Sequence, residues 1–286
     1  MAEIILLAET GSDIPGELAD KEGIYIVPMH VSFGTETKDD GTFPAEEVVN
    51  FYKETGILPK TSGCVPEDFT SVFDRIHAEH PDAWILYLAY SAVTTCSYQS
   101  AQIACEERSY VRSLDTKQVS AGQYVVVLTM ASLLREHPEW TIDDAFHAAK
   151  EISESVHMCF VPDSLEFLRA GGRVSNAAAL CGNLLKIHPG IEIQDGYLKA
   201  VKKYRGKMDK IIPRLVQSYI EEKNLLKNEL WLINAPGLSS QSMELAEKAA
   251  REAGIQKITW VPTGGVITCH GGPGAFGIVG ISAKQH

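Results

Sequence analysis

The chain has 286 residues, 45% apolar and 22% charged, which is too rich in core-forming side chains for a disordered chain and long enough for two domains. Its 26 Lys and Arg against 37 Asp and Glu give a net charge of −11, which repels nucleic acid and anionic membranes at long range. The longest apolar-leaning stretch, Tyr124–Leu134, carries Thr and Ser and falls short of the roughly 20 residues that span a bilayer.

Glu3–Ala8 has a strand pattern. The opening MAEIILLAETGSDIP, with Glu9 and no basic leader, is therefore expected to be a first strand rather than a signal peptide, and the protein cytoplasmic. Thr10-Gly11-Ser12-Asp13 is a turn-and-cap cluster ahead of Pro15. Ile24–Val31 reads as a second strand and Pro44–Glu54 as a helix. Within Pro66–His80, Phe69, Val72, Phe73 and Ile76 fall at i, i+3, i+4 and i+7, the stripe of an amphipathic helix. Trp84–Tyr90 is a continuous apolar run, the mark of a strand buried on both faces. Ser97–Arg108 predicts a helix, Tyr110–Leu114 a short strand, and Ala121–Glu136 a long apolar helix. Thr141 with Asp144 makes a capping box for the next helix. Strands alternating with helices predict a parallel sheet covered by helices.

The pattern changes after about residue 158. Pro189–Gln194, Asp195-Gly196 and Tyr197–Tyr204 form a hairpin signal, because Asp-Gly supplies the positive φ of a two-residue turn. Lys207–Lys223 is largely helical, with Pro213 expected near the start of the regular helix. Leu230–Asn234 predicts a strand, Ser239–Ala253 a helix stopped by Gly254, and Ile258–Val261 and Ala275–Ile281 the closing strands. The expected fold class is α/β in two domains, an N-terminal parallel-sheet domain over 1–157 and a C-terminal mixed-sheet domain over 158–286. The six cysteines, Cys64, Cys96, Cys105, Cys159, Cys181 and Cys269, form no CxxC pair, so neither a zinc site nor a redox dithiol is indicated. Buried or incidental thiols in a reducing compartment fit better.

Four polar segments interrupt the apolar pattern at strand ends: Lys60–Gly63, Tyr90–Ser97, Ala170–Ser175 and Cys269–Gly274. Open α/β folds place ligands in such loops, and the second, entering a helix, offers hydroxyls and backbone N–H groups suited to an anion. None is a Walker A loop or a dinucleotide fingerprint. Each alone reads more simply as a turn and cap.

Taken in order, the segments resemble the DegV family over nearly the whole chain. Glu9–Pro15 stands where that family has DSxxDLP, and Thr61-Ser62 matches its TS pair. Ser91–Ala101 is similar to SSGLSGTYQSA, and Leu168–Ser175 resembles the segment around GGRIS. Leu184–Pro189 with Asp195-Gly196 and Arg205 follows LLxIKP…DG…R, and Cys269–Gly274 is similar to HxGPG. The departures are Glu9-Thr10 for Asp-Ser, Ala92-Val93-Thr94-Thr95 for Ser-Gly-Leu-Ser, Cys96 for glycine, and His188 for lysine.

The resemblance implies a long-chain fatty acid held between two domains and no further cofactor or metal. It also implies a protein that binds no ATP itself and presents the acyl carboxylate to a separate kinase subunit, as in bacterial fatty acid kinase. It assigns Thr61, Ser62, Ser91, Thr94, Thr95 and His270 to the carboxylate, and Arg173 and Arg205 to the lipid-head or kinase-facing side. Two other readings stand beside it. One is a binder or regulatory module for another small acid. The other is an acyl hydrolase using a hydroxyl or Cys96 with His270, although the chain lacks a G-x-S-x-G elbow and no Asp obviously orients that histidine.

Overall fold

A computed structural model describes residues 2–174 and 187–283. Ser175, Cys181 and Leu184-Leu185-Lys186 of the sequence motifs lie outside the described residues.

The first sheet is built from β1 (Ile4–Glu9), β2 (Ile24–Val27), β6 (Trp84–Ala89) and β7 (Val111–Asp115), all parallel, in the order β2-β1-β6-β7. Their apolar runs are sandwiched between helices, and β1 and β6 are buried along nearly their full length. Among the covering helices are α3 (Pro66–Glu79), which buries Phe69, Val72, Phe73 and Ile76 as their spacing predicts, and α5 (Ala121–Glu136). Next comes α6 (Ile142–Ser155), whose capping box closes with Asp144 N–H donating to Thr141 Oγ1 at 3.2 Å and Thr141 N–H to Asp144 Oδ2 at 2.9 Å.

Ile24–Val31 is not one strand. Pro28 has no N–H to continue the ladder, and the chain leaves the parallel sheet there. It re-forms as β3 (His30–Phe33), the centre of a small antiparallel sheet with β4 (Glu36–Asp39) and β5 (Lys60–Ser62). The segment Lys60–Gly63, expected to be a strand-end loop, thus supplies an edge strand, with Thr61 opposite Val31.

The third sheet is mixed, in the order β10-β9-β8-β13-β11-β12. It contains β8 (Val156–Val161), within which the expected division at 157/158 falls, β9 (Ile187–Gln194) and β10 (Tyr197–Arg205). Asp195 and Gly196 join β9 to β10 with φ of 51° and 83°, both positive as the two-residue turn requires. The sheet is completed by β11 (Glu229–Asn234), β12 (Lys257–Pro262) and β13 (Phe276–Ile281). A second core joins it to α8 (Met208–Glu222) and α9 (Ser240–Glu252). Pro213 lies inside α8 rather than at its start, because Met208–Ile212 is already helical and buries Met208, Ile211 and Ile212. Burial of that face outweighs the one backbone bond the proline forgoes. Among the described residues no helix is long and apolar enough to cross a membrane.

Candidate functional site

Because β2 and β6 flank β1 on opposite sides, chain order reverses at β1, and ligands of open parallel sheets settle beyond the carboxyl ends at such a point. Here those ends are Glu9 and Ala89, followed by Thr10 and Tyr90. Facing them from the third sheet are α7 (Leu165–Gly171) and its C-cap, the start of β10, and α10 (Gly265–Gly271). The segment Cys269–Gly274, expected to be a loop, therefore begins in a helix, and His270 sits in that helix's last turn.

A cavity of about 50 Å³ lies where the two halves meet. The first half contributes Thr61, Ser62, Thr94 and Thr95, and the second contributes Arg173 and His270. Met29, Tyr90, Leu198 and Val266 form its apolar side. The space suits a carboxylate-sized group, being a few times what one water needs.

Thr61 and His270 make the central contact, with Oγ1 and Nε2 2.8 Å apart. Burial, reinforced by the nearby Arg173 charge, lowers the His270 pKa to about 4, so the ring is neutral near pH 7. Its Nδ1 is enclosed and has no hydrogen-bond partner among the described residues. Gly171 packs against the ring so closely that a Cβ there would come within 2.3 Å of Nδ1, so the first glycine of the Gly-Gly-Arg run is needed for clearance. Gly63 plays the same part on the opposite wall, where a Cβ would lie 2.3 Å from Thr95 Oγ1.

The remaining polar groups are partly committed. Thr94 Oγ1 donates to the Ser91 carbonyl at 2.8 Å, and Thr95 Oγ1 lies 3.1 Å from Ser97 Oγ. Among the described residues Arg173 donates from Nη1 to the Gly171 carbonyl at 2.7 Å and from Nε to the Thr94 carbonyl at 3.3 Å, two of the bonds its five N–H donors can make. A parallel bridge between Val174 and Leu198 holds this arginine beside β10.

Two residues singled out by sequence are elsewhere. Ser91 is buried, and its hydroxyl donates to the Gly196 carbonyl at 2.9 Å, joining the first parallel sheet's loop to the β9–β10 turn instead of lining the cavity. Arg205 is exposed at the far end of β10, seven residues and roughly 20 Å of strand from Leu198. Lys202, three residues before it, forms an ion pair with Glu222. Cys96 is exposed beside the site, and Cys64, Cys105, Cys159 and Cys269 are free thiols. Among the described residues no cluster of His, Cys, Asp and Glu is arranged to hold a metal ion.

Sequence reasoning passed over the buried carboxylates beneath the cavity. Glu9, fully buried, accepts from Tyr90 N–H at 3.1 Å, from Gln123 Nε2 at 2.7 Å and from the Tyr87 hydroxyl. Burial raises its pKa, and these donors oppose the rise. They fix Tyr90, one wall of the cavity. The available signal was an acid ending an apolar strand at the point where chain order reverses.

The comparisons agree with this architecture. The family model described as uncharacterised protein, DegV family, matches residues 3–283. A fatty acid-binding protein of Thermotoga maritima is 27% identical over 293 residues, covering 99% of this chain and 100% of that one. The crystal structure of a DegV lipid binding protein from the same organism superposes with a TM-score of 0.83 at 26% identity, covering 99% and 100% of the two chains. A fatty-acid-binding DegV family protein from Thermus thermophilus shares the fold with a TM-score of 0.88 at 24% identity, covering 98% and 100%. With the family model spanning almost its whole length, the chain belongs to the DegV family.

Proposed function

We propose that this protein binds a long-chain fatty acid between an N-terminal domain, 1–157, and a C-terminal domain, 158–286, and presents the carboxylate to a separate ATP-dependent kinase subunit in the cytoplasm. The observation that carries the reading is the Thr61–His270 contact, made across the two halves inside a cavity that also gathers Ser62, Thr94, Thr95 and Arg173. If neutral His270 donates from Nε2 to Thr61 Oγ1, the threonine's own proton is free to point at a carboxylate. A palmitate-sized tail offers on the order of 10 kcal/mol at about 0.8 kcal/mol per buried CH2, and that gain survives only if the buried charge finds such donors. The relatives described as lipid- or fatty-acid-binding support the same ligand class. An acyl hydrolase is less well supported, because a catalytic histidine needs a partner to orient its second nitrogen and His270 Nδ1 has none among the described residues.

Protein purified from a bacterial host should therefore release about one C14–C18 fatty acid per chain on denaturing extraction and mass spectrometry. Repeated extraction of no acyl chain, with no uptake of added palmitate or oleate, would end the proposal.

Arg205 tests presentation separately from binding. Exposed and remote from the cavity, it suits an acidic or phosphate-bearing partner face, where its planar fork makes two charge-assisted bonds. Arg205→Ala should still copurify with fatty acid and unfold within a few degrees of the parent. With a cognate kinase subunit and ATP, acyl-phosphate formation should fall at least about tenfold, a loss of ~1.4 kcal/mol. Unchanged phosphorylation at subsaturating protein would remove Arg205 from the interface.

A further inference from the structure

Helix α10 carries Val266 and His270 into the cavity, yet its first amides are held by residues from the other half of the molecule. Gly264 N–H donates to Asp13 Oδ1 at 2.7 Å, and Gly265 N–H donates to Asp40 Oδ1 at 2.8 Å. These contacts join positions 251 and 225 residues apart. Both carboxylates are buried, at 6% and 3% exposure.

The grip is built rather than incidental. Asp13 takes the left-handed φ of 58° at the end of a short 3-10 turn, and Ser120, itself at φ 49°, donates from Oγ to Asp13 Oδ2. Asp40 Oδ1 also accepts from Gly41 N–H at 3.1 Å. A Cβ at Gly265 would lie 2.8 Å from Asp40 Oδ1 and 2.6 Å from the Phe43 ring, so the loops press directly on the helix backbone. From Gly265 to His270 the helix rises only about 8 Å. A shift at its start is therefore carried to the imidazole within one and a half turns.

We propose that Asp13 and Asp40 are positioning residues that fix α10 against the N-terminal half and thereby set the Thr61–His270 contact of the carboxylate site. For its ligand the proposal rests on the fatty-acid reading, but its geometry can be read without any ligand.

The test uses the full chain, delipidated, with two readouts: the ¹⁵N signals of the His270 ring and the affinity for oleate. Asp13→Ala and Asp40→Ala should each displace the ring signals and weaken oleate binding about tenfold or more. Asp13→Asn and Asp40→Asn keep an Oδ1 acceptor and should restore both readouts to within about threefold. Ser120→Ala, which removes only the bond aiming Asp13, should move the ring signals in the same direction by less. It serves as the readable variant should either aspartate-to-alanine protein fail to fold. Leu232→Ala, a cavity in the second core, should lower Tm while leaving the His270 signals and oleate affinity unchanged.

Unmoved ring signals in folded Ser120→Ala and in the alanine variants would overturn the proposal. So would a loss of affinity in Leu232→Ala matching theirs, since affinity would then simply follow global stability. A parent that takes up no oleate, with the ring still displaced in the aspartate variants, would sink the lipid reading and leave the positioning role intact.

Discussion

Replacing His270 by alanine should weaken binding of a long-chain fatty acid by on the order of ten- to a hundredfold, the equivalent of one lost hydrogen bond in a chain ending on a charged group. In the proposed site the imidazole is the inner anchor of that chain. Its Nε2 lies 2.8 Å from Thr61 Oγ1, and burial beside Arg173 keeps it neutral, so it can support the threonine without adding a second charge to the cavity. Without the ring, Thr61 loses the partner that orients its hydroxyl, and the space left beside Gly171 would admit water to the proposed head-group site. His188 is the matched comparison. It is buried too, with Nδ1 3.0 Å from the Pro162 carbonyl and Nε2 3.1 Å from the Gly206 carbonyl, but it serves the backbone around β9 rather than the cavity. His188→Ala should lower Tm and leave fatty-acid affinity within about threefold of the parent. Titration with a fluorescent fatty acid checks both. Equal effects of the two substitutions would mean the carboxylate sits elsewhere.

What the sequence could reveal depended on the range of the interaction. The strands β1 and β6 are legible because burial on both faces imposes a continuous apolar run, and the capping box at Thr141 because its two partners lie three residues apart. The Asp195-Gly196 turn is legible because few residue pairs tolerate two positive φ values in succession. The edge strand β5 is too short and too polar for any alternation to register. Helix α10 is hidden by a glycine-rich composition that ordinarily argues against a helix, and it stands because Asp13 and Asp40 hold its first amides. Thr61 and His270, 209 positions apart, could be paired only through the family resemblance. The hydrogen bond from the Ser91 hydroxyl to the Gly196 carbonyl, across 105 positions, has no local pattern to announce it either. Contacts of this kind exist only once the two halves have docked.

The docking carries a pH signature, and the second large effect follows from it. Burial raises the Asp13 pKa to about 8 against an ordinary 3.8, with the bonds from Ser120 and Gly264 opposing the rise and the charge of Asp40 adding to it. The folded protein therefore keeps a proton on Asp13 over a range in which the unfolded chain has released it. A pKa raised in the folded state contributes stability that is complete below the unfolded value and is lost as pH climbs through the folded one, at about 1.4 kcal/mol per pH unit. His270 has the opposite sign. Its lowered pKa, about 4 against 6.5, makes stability rise with pH across that interval and offsets Asp13 there. Between 6.5 and 8 this offset is gone, and the protein should lose about 2 kcal/mol of stability to Asp13 alone. Asp40 and Glu9, raised by burial in the same direction, contribute to the parent curve and are retained in an Asp13 variant. Asp13→Asn isolates the one group: its carbonyl oxygen can accept from Gly264 N–H, its amide can donate to Ser120 Oγ, and it cannot ionise. Urea unfolding of parent and Asp13→Asn at pH 6.5 and pH 8 should show the gap between them shifting by about 2 kcal/mol in favour of the asparagine variant at the higher pH. Parallel curves would mean that Asp13 is already ionised in the folded protein at pH 6.5, and that the hold on α10 is the charged one.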